Sequence, residues 1–355
     1  MKNIKILGAG ISGLSAAINL AKAGYSVDVF EKREDCGKRF YGDLEGFENW
    51  SSHEDVLDQL QSFNVKINFD CSPFKSMCMT DGRQILKNSF EKPIFYIVKR
   101  GVLQGSLDQG LKNQAQDLGV NIHFNSNVKK NDVDIISIGV AENKIIAVAK
   151  GITFDTEADD IAVSLLNYKT SYNGYSYLLI NNGLGTICSV NYYIEGLDIN
   201  AYFKKTYEML TGLFDFDIRN EKKAGGIGCF LIKPRLVENG KIYTGEAAGL
   251  QDFLWGFGMR YAVISGFLAA SSIIQNKNYA ELIMQKLSGK IKTSVVNRYV
   301  IEMIGDRFNK LMIKRAKKRS NWMDLLYKGY NPSWFSKTMY PIAKWGLIQK
   351  YQNFA

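Results

Sequence analysis

The apolar positions of this chain switch between two periods, and the first switch comes at once. Asn3-Ile4-Lys5-Ile6-Leu7 reads as a short strand leading into Gly8-Ala9-Gly10-Ile11-Ser12-Gly13. Leu14, Ala17, Ile18 and Leu20-Ala21 then recur at the spacing of one helical face, and Gly24 supplies a stop. Ser26-Val27-Asp28-Val29-Phe30 returns to strand and places Glu31 at its tip. Strand, glycine turn, helix, strand and acid follow one another in the order a dinucleotide site requires.

Each part of that order has a physical task. Gly8 permits a tight turn, Gly10 lets backbone approach a pyrophosphate, and Gly13 lets helix and strand pack closely. The helix N-terminus offers unpaired N–H groups and the positive end of a dipole. Glu31, 21 residues beyond Gly10, stands where an acid accepts hydrogen bonds from a ribose. Lys2 and Lys5 ahead of apolar sequence have the charge of a leader peptide, but the glycine spacing and the continuation into a strand mark a folded element.

Further along, Tyr41 to Trp50 interleaves acids, glycines and aromatics in the manner of a pocket-lining loop. A helix is expected over residues 54 to 66 and another carrying Leu103, Leu107 and Leu111. Gly119 to Phe124 and Val133 to Ile138 read as strands of a buried α/β framework, with His123 as a structural residue. The middle differs: Tyr175 to Ile180, Asn181-Asn182-Gly183 and Leu184 to Val190 spell a β-hairpin. Lys241 to Thr244 resumes the framework. It runs into Gly245-Glu246-Ala247-Ala248-Gly249, Gly256-Phe257-Gly258-Met259 and a long apolar helix to about Ile274, a second glycine-rich entry to a helix.

The expected architecture is therefore α/β. A discontinuous Rossmann-type domain (1–71, 99–157 and 235–275) holds the dinucleotide, an antiparallel-sheet substrate domain (72–98 and 158–234) is inserted, and a basic helical region (276–355) closes the chain.

Composition narrows the chemistry. Five scattered cysteines among 355 residues form no close pair, which suits a reduced, cytoplasmic chain without disulfides or a zinc site. Cys36 leaves two readings open, a reactive thiol beside the pocket or an inert one. Two histidines, His53 and His123, leave little room for a His-based triad or metal centre, and no metal is expected. The net charge of +10 is concentrated: from Ser271 onward 16 Lys and Arg face 4 Asp and Glu, a surplus of +12, so the rest carries −2.

From Gly245 to Ala270 the sequence resembles FAD-dependent oxidoreductases of the p-hydroxybenzoate hydroxylase and geranylgeranyl reductase type. The matching residues are Gly245-Glu246-Ala247-Ala248-Gly249, Gly256, Gly258, Ala262, Ser265-Gly266 and Ala269-Ala270. The resemblance implies FAD, with the acid on the ribitol and the following helix N-terminus aimed at the isoalloxazine. Glu246 stands in place of the usual Asp. Tyr96 with Arg100 and Leu107 is similar to the family's Arg motif, which implies Arg100 near the flavin phosphates or ribitol. Of the reductases' Y-x-W-x-F-P only Tyr175 is kept. Gly139-Val140-Ala141-Glu142 replaces the D-G motif of the NAD(P)H-using hydroxylases, which disfavours the hydroxylase branch. The resemblance stops at about residue 275.

The expected cofactor contacts are Gly8, Gly10, Ile11, Ser12, Gly13, Glu31, Lys32, Arg100, Val128, Gly245, Glu246, Gly256, Gly258 and Met259, and the expected substrate pocket is Tyr41, Trp50, Tyr175, Tyr177 and Trp255. No catalytic residue is singled out. The resemblance implies reduction of carbon–carbon double bonds in an apolar, isoprenoid-like substrate. Flavin-dependent oxygenation of an aromatic compound and a non-redox role for bound flavin are the alternatives. With one full GxGxxG in the chain, reducing equivalents would come from docked NAD(P)H or a ferredoxin-like donor protein. In the C-terminal region, Leu287, Ile291, Val295, Tyr299, Met303 and Leu311 form a docking face. The run Lys314-Arg315-Ala316-Lys317-Lys318-Arg319, followed by Trp322, Trp334 and Trp345, suits either peripheral contact with an anionic membrane, at the inner face, or a solvated basic helix with buried tryptophans. Five cations near such a surface would contribute at most ~5 kcal/mol. Nucleic acid is not expected.

Overall fold

The computed structural model describes residues 2–139, 146–192, 196–318 and 323–351. The first strand, Asn3–Leu7, has Ile4 and Ile6 fully buried and lies inside a sheet ordered Val237–Glu238, Lys241–Tyr243, Ile135–Ile136, Asn3–Leu7, Ser26–Phe30, Asn121–His123. All its pairings are parallel except that of the edge strand Val237–Glu238. Ile6 pairs with Val29 on one side and Ile135 on the other, so the strand order reverses there. A crevice opens at the carboxyl ends of strands flanking such a reversal, the usual ligand position in α/β sheets.

The helix Ile11–Lys22 covers this sheet and packs along the apolar helix Met259–Ile274. Close approach is built in: a Cβ at Gly266 would overlap the Ser12 carbonyl oxygen, and Ser15 Oγ donates to Val263 O at 3.0 Å. Both helices begin at the crevice. His123 accordingly serves structure, pairing with Asp28 at 2.9 Å and stacking on Phe30.

The second sheet runs Arg219–Gly228, Ala147–Asp155, Leu184–Tyr192, Tyr175–Asn181, Ile161–Leu165, Ser76–Thr80, Ile85–Ser89. The expected hairpin is present, with Asn182 and Gly183 both left-handed (φ 50° and 77°) between Asn181 and Leu184. That is the turn Asn-Gly favours. One boundary is corrected. Ala147–Asp155 was expected in the dinucleotide-binding part. Instead it pairs along its length with Leu184–Tyr192 and with Arg219–Gly228, because its apolar positions are buried against the hairpin rather than the parallel sheet. A smaller sheet, with Phe95–Gly101 between Tyr41–Glu48 and Cys71–Phe74, joins the two layers. Residues 72–98 thus divide between two sheets.

The C-terminal region is helical among the described residues: Tyr279–Ile304, Asp306–Lys318, Met323–Tyr330 and Trp334–Lys350. Leu287, Ile291 and Val295 are buried as the docking face requires. The face does not extend to Met303 and Leu311. The helix ends at Ile304, Gly305 turns the chain at φ 56°, and Met303 is 66% exposed. Arg319 and Trp322 lie outside the described residues. No described helix is long and apolar enough to cross a membrane.

Candidate functional site

Where Asn3–Leu7 ends, Gly8 turns at φ +102° and donates to Phe30 O at 2.8 Å. A Cβ there would stand 2.5 Å from Ser137 O, so only glycine fits between the two central strands. A Cβ at Gly13 would overlap the Gly8 carbonyl oxygen, the close helix–strand packing expected of it. Gly10 is different. Its backbone is extended (φ −84°, ψ 179°) and the nearest atom to a Cβ is Ser137 O at 4.0 Å. The space above Gly10 is open to a ligand.

These residues border a cavity of about 1310 Å³ that runs from the glycine turn to the C-terminal helices. At one end stand Gly8, Gly10, Ile11, Ser12, Glu31, Lys32 and Val128. The Glu31 carboxylate accepts from Ala9 N at 2.9 Å and from Arg33 N at 3.1 Å, which fixes it across the mouth of the turn. Glu246, Gly256, Gly258 and Met259 line the middle. The helices starting at Ile11 and Met259 both lack a side-chain cap, so their leading N–H groups and positive dipole ends border the same cavity. Gln251 donates to Gly256 O at 3.0 Å while its buried Oε1 has no partner, an acceptor without a donor on the cavity wall. Glu246 accepts from Cys229 N at 3.2 Å, and burial pushes its carboxyl above the usual range against the opposing pull of Arg39.

Gly13 and Gly245 are not on the wall and act through packing. Gly245 turns at φ +55° and donates to Ser265 Oγ at 2.8 Å. Arg100 is on the wall, but its guanidinium is committed to carboxylates. It binds Asp108 through Nε at 2.9 Å and Nη2 at 3.1 Å, and Glu45 through Nη1 at 2.9 Å. The family resemblance implied phosphate or ribitol contact; here the arginine braces the wall. Arg39, like Lys32, Arg33 and Lys130 on the same wall, has no carboxylate partner among the described residues, and it stacks on Phe40 at 4.5 Å. Arg39 closes the polar stretch Lys32-Arg33-Glu34-Asp35-Cys36-Gly37-Lys38-Arg39, which has no periodicity to single it out.

The remaining lining of the cavity is largely apolar and aromatic. Trp50, Tyr175, Tyr177 and Trp255 are all there. Tyr175 donates to Trp255 O at 3.0 Å and meets that indole edge-on at 5.3 Å. Tyr41, the fifth expected residue, is not. It is 49% exposed, because the strand is irregular between Tyr41 and Leu44, with Gly42 at φ +95°, and Asp43 turns inward in its stead. Burial raises the Asp43 carboxyl as well. Sequence gave no warning of Met77 and Met79 from the second sheet, or of Met312 and Leu326 from the C-terminal helices, which form the far wall. Tyr177 and Cys188, partners across neighbouring strands, both line this wall. Burial holds the phenol well above its ordinary value and pushes the thiol up to about 12. Cys36, by contrast, is fully buried with its thiol raised by burial beside Asp35, which makes it inert. No cluster of metal-ligating side chains occurs among the described residues.

Three comparisons bear on this site. Residues 6–47 match the NAD(P)-binding Rossmann-like domain. A stretch of 104 residues is 34% identical to a 1-hydroxycarotenoid 3,4-desaturase of Flavobacterium sp. (strain P99-3), covering 26% of this chain and 20% of that protein. Among solved structures, a geranylgeranyl bacteriochlorophyll reductase-like protein of Thermoplasma acidophilum superposes over 100% of both chains, with a TM-score of 0.68 and 16% identity. A flavin-dependent brominase superposes over 98% of this chain and 99% of its own, with a TM-score of 0.64 and 14% identity. The chain thus spans a fifth of the desaturase's length, and the likeness to the two structures is one of fold. That fold is the one the resemblance implied: a Rossmann-type layer, an antiparallel sheet and C-terminal helices.

Proposed function

We propose that the chain is an FAD-dependent oxidoreductase that reduces carbon–carbon double bonds of an apolar, isoprenoid-like substrate. The observation that carries this reading is the continuity of the cavity, from a glycine cradle suited to a pyrophosphate to a chamber walled by Met77, Met79, Leu179, Met312 and Leu326. The cradle fits FAD on three counts: open space at Gly10, two uncapped helix N-termini, and carboxylates at Glu31 and Glu246 for ribose and ribitol hydroxyls. Arg39 would offset phosphate charge.

FAD held here would supply hydride chemistry, with docked NAD(P)H or a ferredoxin-like donor as the source of its electrons. The chain's own part is to hold the alkene against apolar walls and to furnish a proton for the second carbon. Tyr177 Oη is the candidate donor: burial keeps it protonated at neutral pH, and its place opposite Cys188 in the strand pair puts it on the chamber wall. The four aromatic walls also suit an aromatic substrate, which keeps flavin-dependent oxygenation as the second reading.

Anaerobic mixing of the pre-reduced holoprotein with a polyprenyl alcohol tests the proposal. Reoxidation of the flavin by the alkene is expected, slowed in Tyr177→Phe without loss of bound flavin. Inertness toward alkenes, with oxygen uptake stimulated by an aromatic compound, would transfer the assignment to the monooxygenase reading. Flavin that resists every donor would point to a non-redox role.

A further inference from the structure

The last described helix, Trp334–Lys350, buries one face and leaves the other bare. Ser336, Ala343 and Leu347 are buried against the long helix Tyr279–Ile304, fixed by Ser336 Oγ to Thr293 Oγ1 at 3.1 Å and Tyr351 OH to Glu302 at 2.6 Å. On the outer face Trp334 is 79% exposed, Trp345 67%, Ile342 52% and Phe335 50%. At roughly 100° per residue these four side chains, with Thr338 and Pro341, fall within an arc of about 120°. Two tryptophans and a phenylalanine on one solvent-facing stripe are costly to leave in water.

The charge around the stripe has one sign. The helix contains no Asp or Glu, and Lys337 and Lys344 flank the arc on the same side. Its C-terminal end, held at Glu302, lies beside the junction where Gly305 starts the helix Asp306–Lys318. There Met303 and Ile304 are themselves exposed. In that second helix Lys310 pairs with Asp306 at 2.9 Å, while Arg307, Lys314, Arg315, Lys317 and Lys318 have no carboxylate partner among the described residues. From Arg307 onward the sequence has eleven Lys and Arg against Asp324 alone. An aromatic stripe flanked by Lys337 and Lys344, on a helix without carboxylates, matches the headgroup region of an anionic bilayer. Trp and Phe settle at its apolar boundary and Lys and Arg snorkel to phosphates.

We propose that the face carrying Trp334, Phe335, Ile342 and Trp345 docks on the surface of an anionic lipid bilayer, with the helix lying in the interface plane. The assignment stands on exposure and charge and does not depend on the reaction proposed above. It also departs from the alternative of tryptophans buried in a helical subdomain, since Trp334 and Trp345 are among the most exposed side chains described.

The test is co-sedimentation of the full chain with vesicles of phosphatidylglycerol and phosphatidylcholine, at low and high salt, beside pure phosphatidylcholine. Binding to the anionic vesicles at low salt is expected, weaker at high salt, with tryptophan emission shifted to the blue and quenched by brominated acyl chains. The double variant W334A/W345A should partition about tenfold more weakly while unfolding at the wild-type midpoint, since both side chains are exposed. Absence of binding to anionic vesicles at low salt would overturn the proposal. So would a concentration-dependent dimer in sedimentation velocity that W334A/W345A converts to monomer, because the stripe would then belong to a second copy of the chain.

Discussion

Gly10→Val separates binding from folding at the glycine turn. In the free protein the substitution meets little resistance: the backbone is extended, which any residue adopts, and the nearest atom to the new Cβ is 4.0 Å away. Valine is a poorer helix N-cap than glycine, at a cost of about 1 kcal/mol. Against a bound pyrophosphate the same branched side chain fills the approach space and removes contact with the leading N–H groups. Two charge-assisted hydrogen bonds at about 1.5–3 kcal/mol each correspond to a loss in affinity of roughly a hundredfold to ten-thousandfold. Gly13→Ala is the control of opposite sign. Its methyl would overlap the Gly8 carbonyl oxygen, so the damage appears as lost stability before any ligand is added. Flavin-free protein titrated with FAD, followed by quenching of flavin fluorescence, gives the affinities, and guanidinium unfolding of the same samples gives the stabilities. FAD binding at wild-type affinity by Gly10→Val would refute the placement of the pyrophosphate over that residue.

Three further outcomes are expected. Asp252 is fully buried, accepting from Leu254 N and Trp255 N, and burial raises its carboxyl from 3.8 to about 6. The folded state therefore binds this proton more tightly than the unfolded one. The stability it contributes is complete below about pH 4 and is lost as pH rises through 6, at most about 3 kcal/mol at roughly 1.36 kcal/mol per unit. Denaturant midpoints measured across that window should show the fall, and Asp252→Asn should flatten it. Arg298→Leu removes a guanidinium that is 1% exposed and donates to Asn173 O and Leu254 O at 2.6 Å and to Phe253 O at 3.1 Å; the variant should lose about 3–5 kcal/mol in denaturant unfolding. Met312→Trp narrows the far wall of the chamber, so KM should rise for a long isoprenoid and hold for a short one, with flavin content unchanged.

The dinucleotide end of the site was legible because its requirements are local. Gly8, Gly10, Gly13 and Glu31 lie within one βαβ unit, and each does a task set by backbone geometry that spacing alone encodes. The hairpin at Asn182-Gly183 was legible for the same reason, since left-handed backbone at both positions selects those residues. What spacing could not encode was pairing across long sequence gaps. Ala147–Asp155 has the apolar content of a framework strand, and only its partners, up to 81 residues away at Ala147↔Gly228, decide which sheet it joins. The resemblance implied Arg100 near flavin phosphates or ribitol, and nothing in the sequence near it declares that Glu45 completes its coordination from another strand. Tyr41 turned outward through one irregular register between two strands, a shift that reverses the face of every residue before it. The far wall of the chamber, from Met77 to Met312, is assembled entirely by such long-range contacts.

Arg298 has a consequence for how proteins of this shape can change. It belongs to the C-terminal helical layer, yet its donors are spent on carbonyls of the loop after Glu246 and of Asn173, in the bend that leads into the strand Tyr175–Asn181, and its plane rests on Tyr192 at 3.4 Å. Because its partners are main-chain carbonyls, any exchange of the residues beyond 275 has to preserve the course of the backbone at Asn173 and at Phe253-Leu254. The layer is heritable only together with the loop and sheet it grips. Wall residues such as Met312 and Leu326 take no part in that grip and can be exchanged singly without disturbing it.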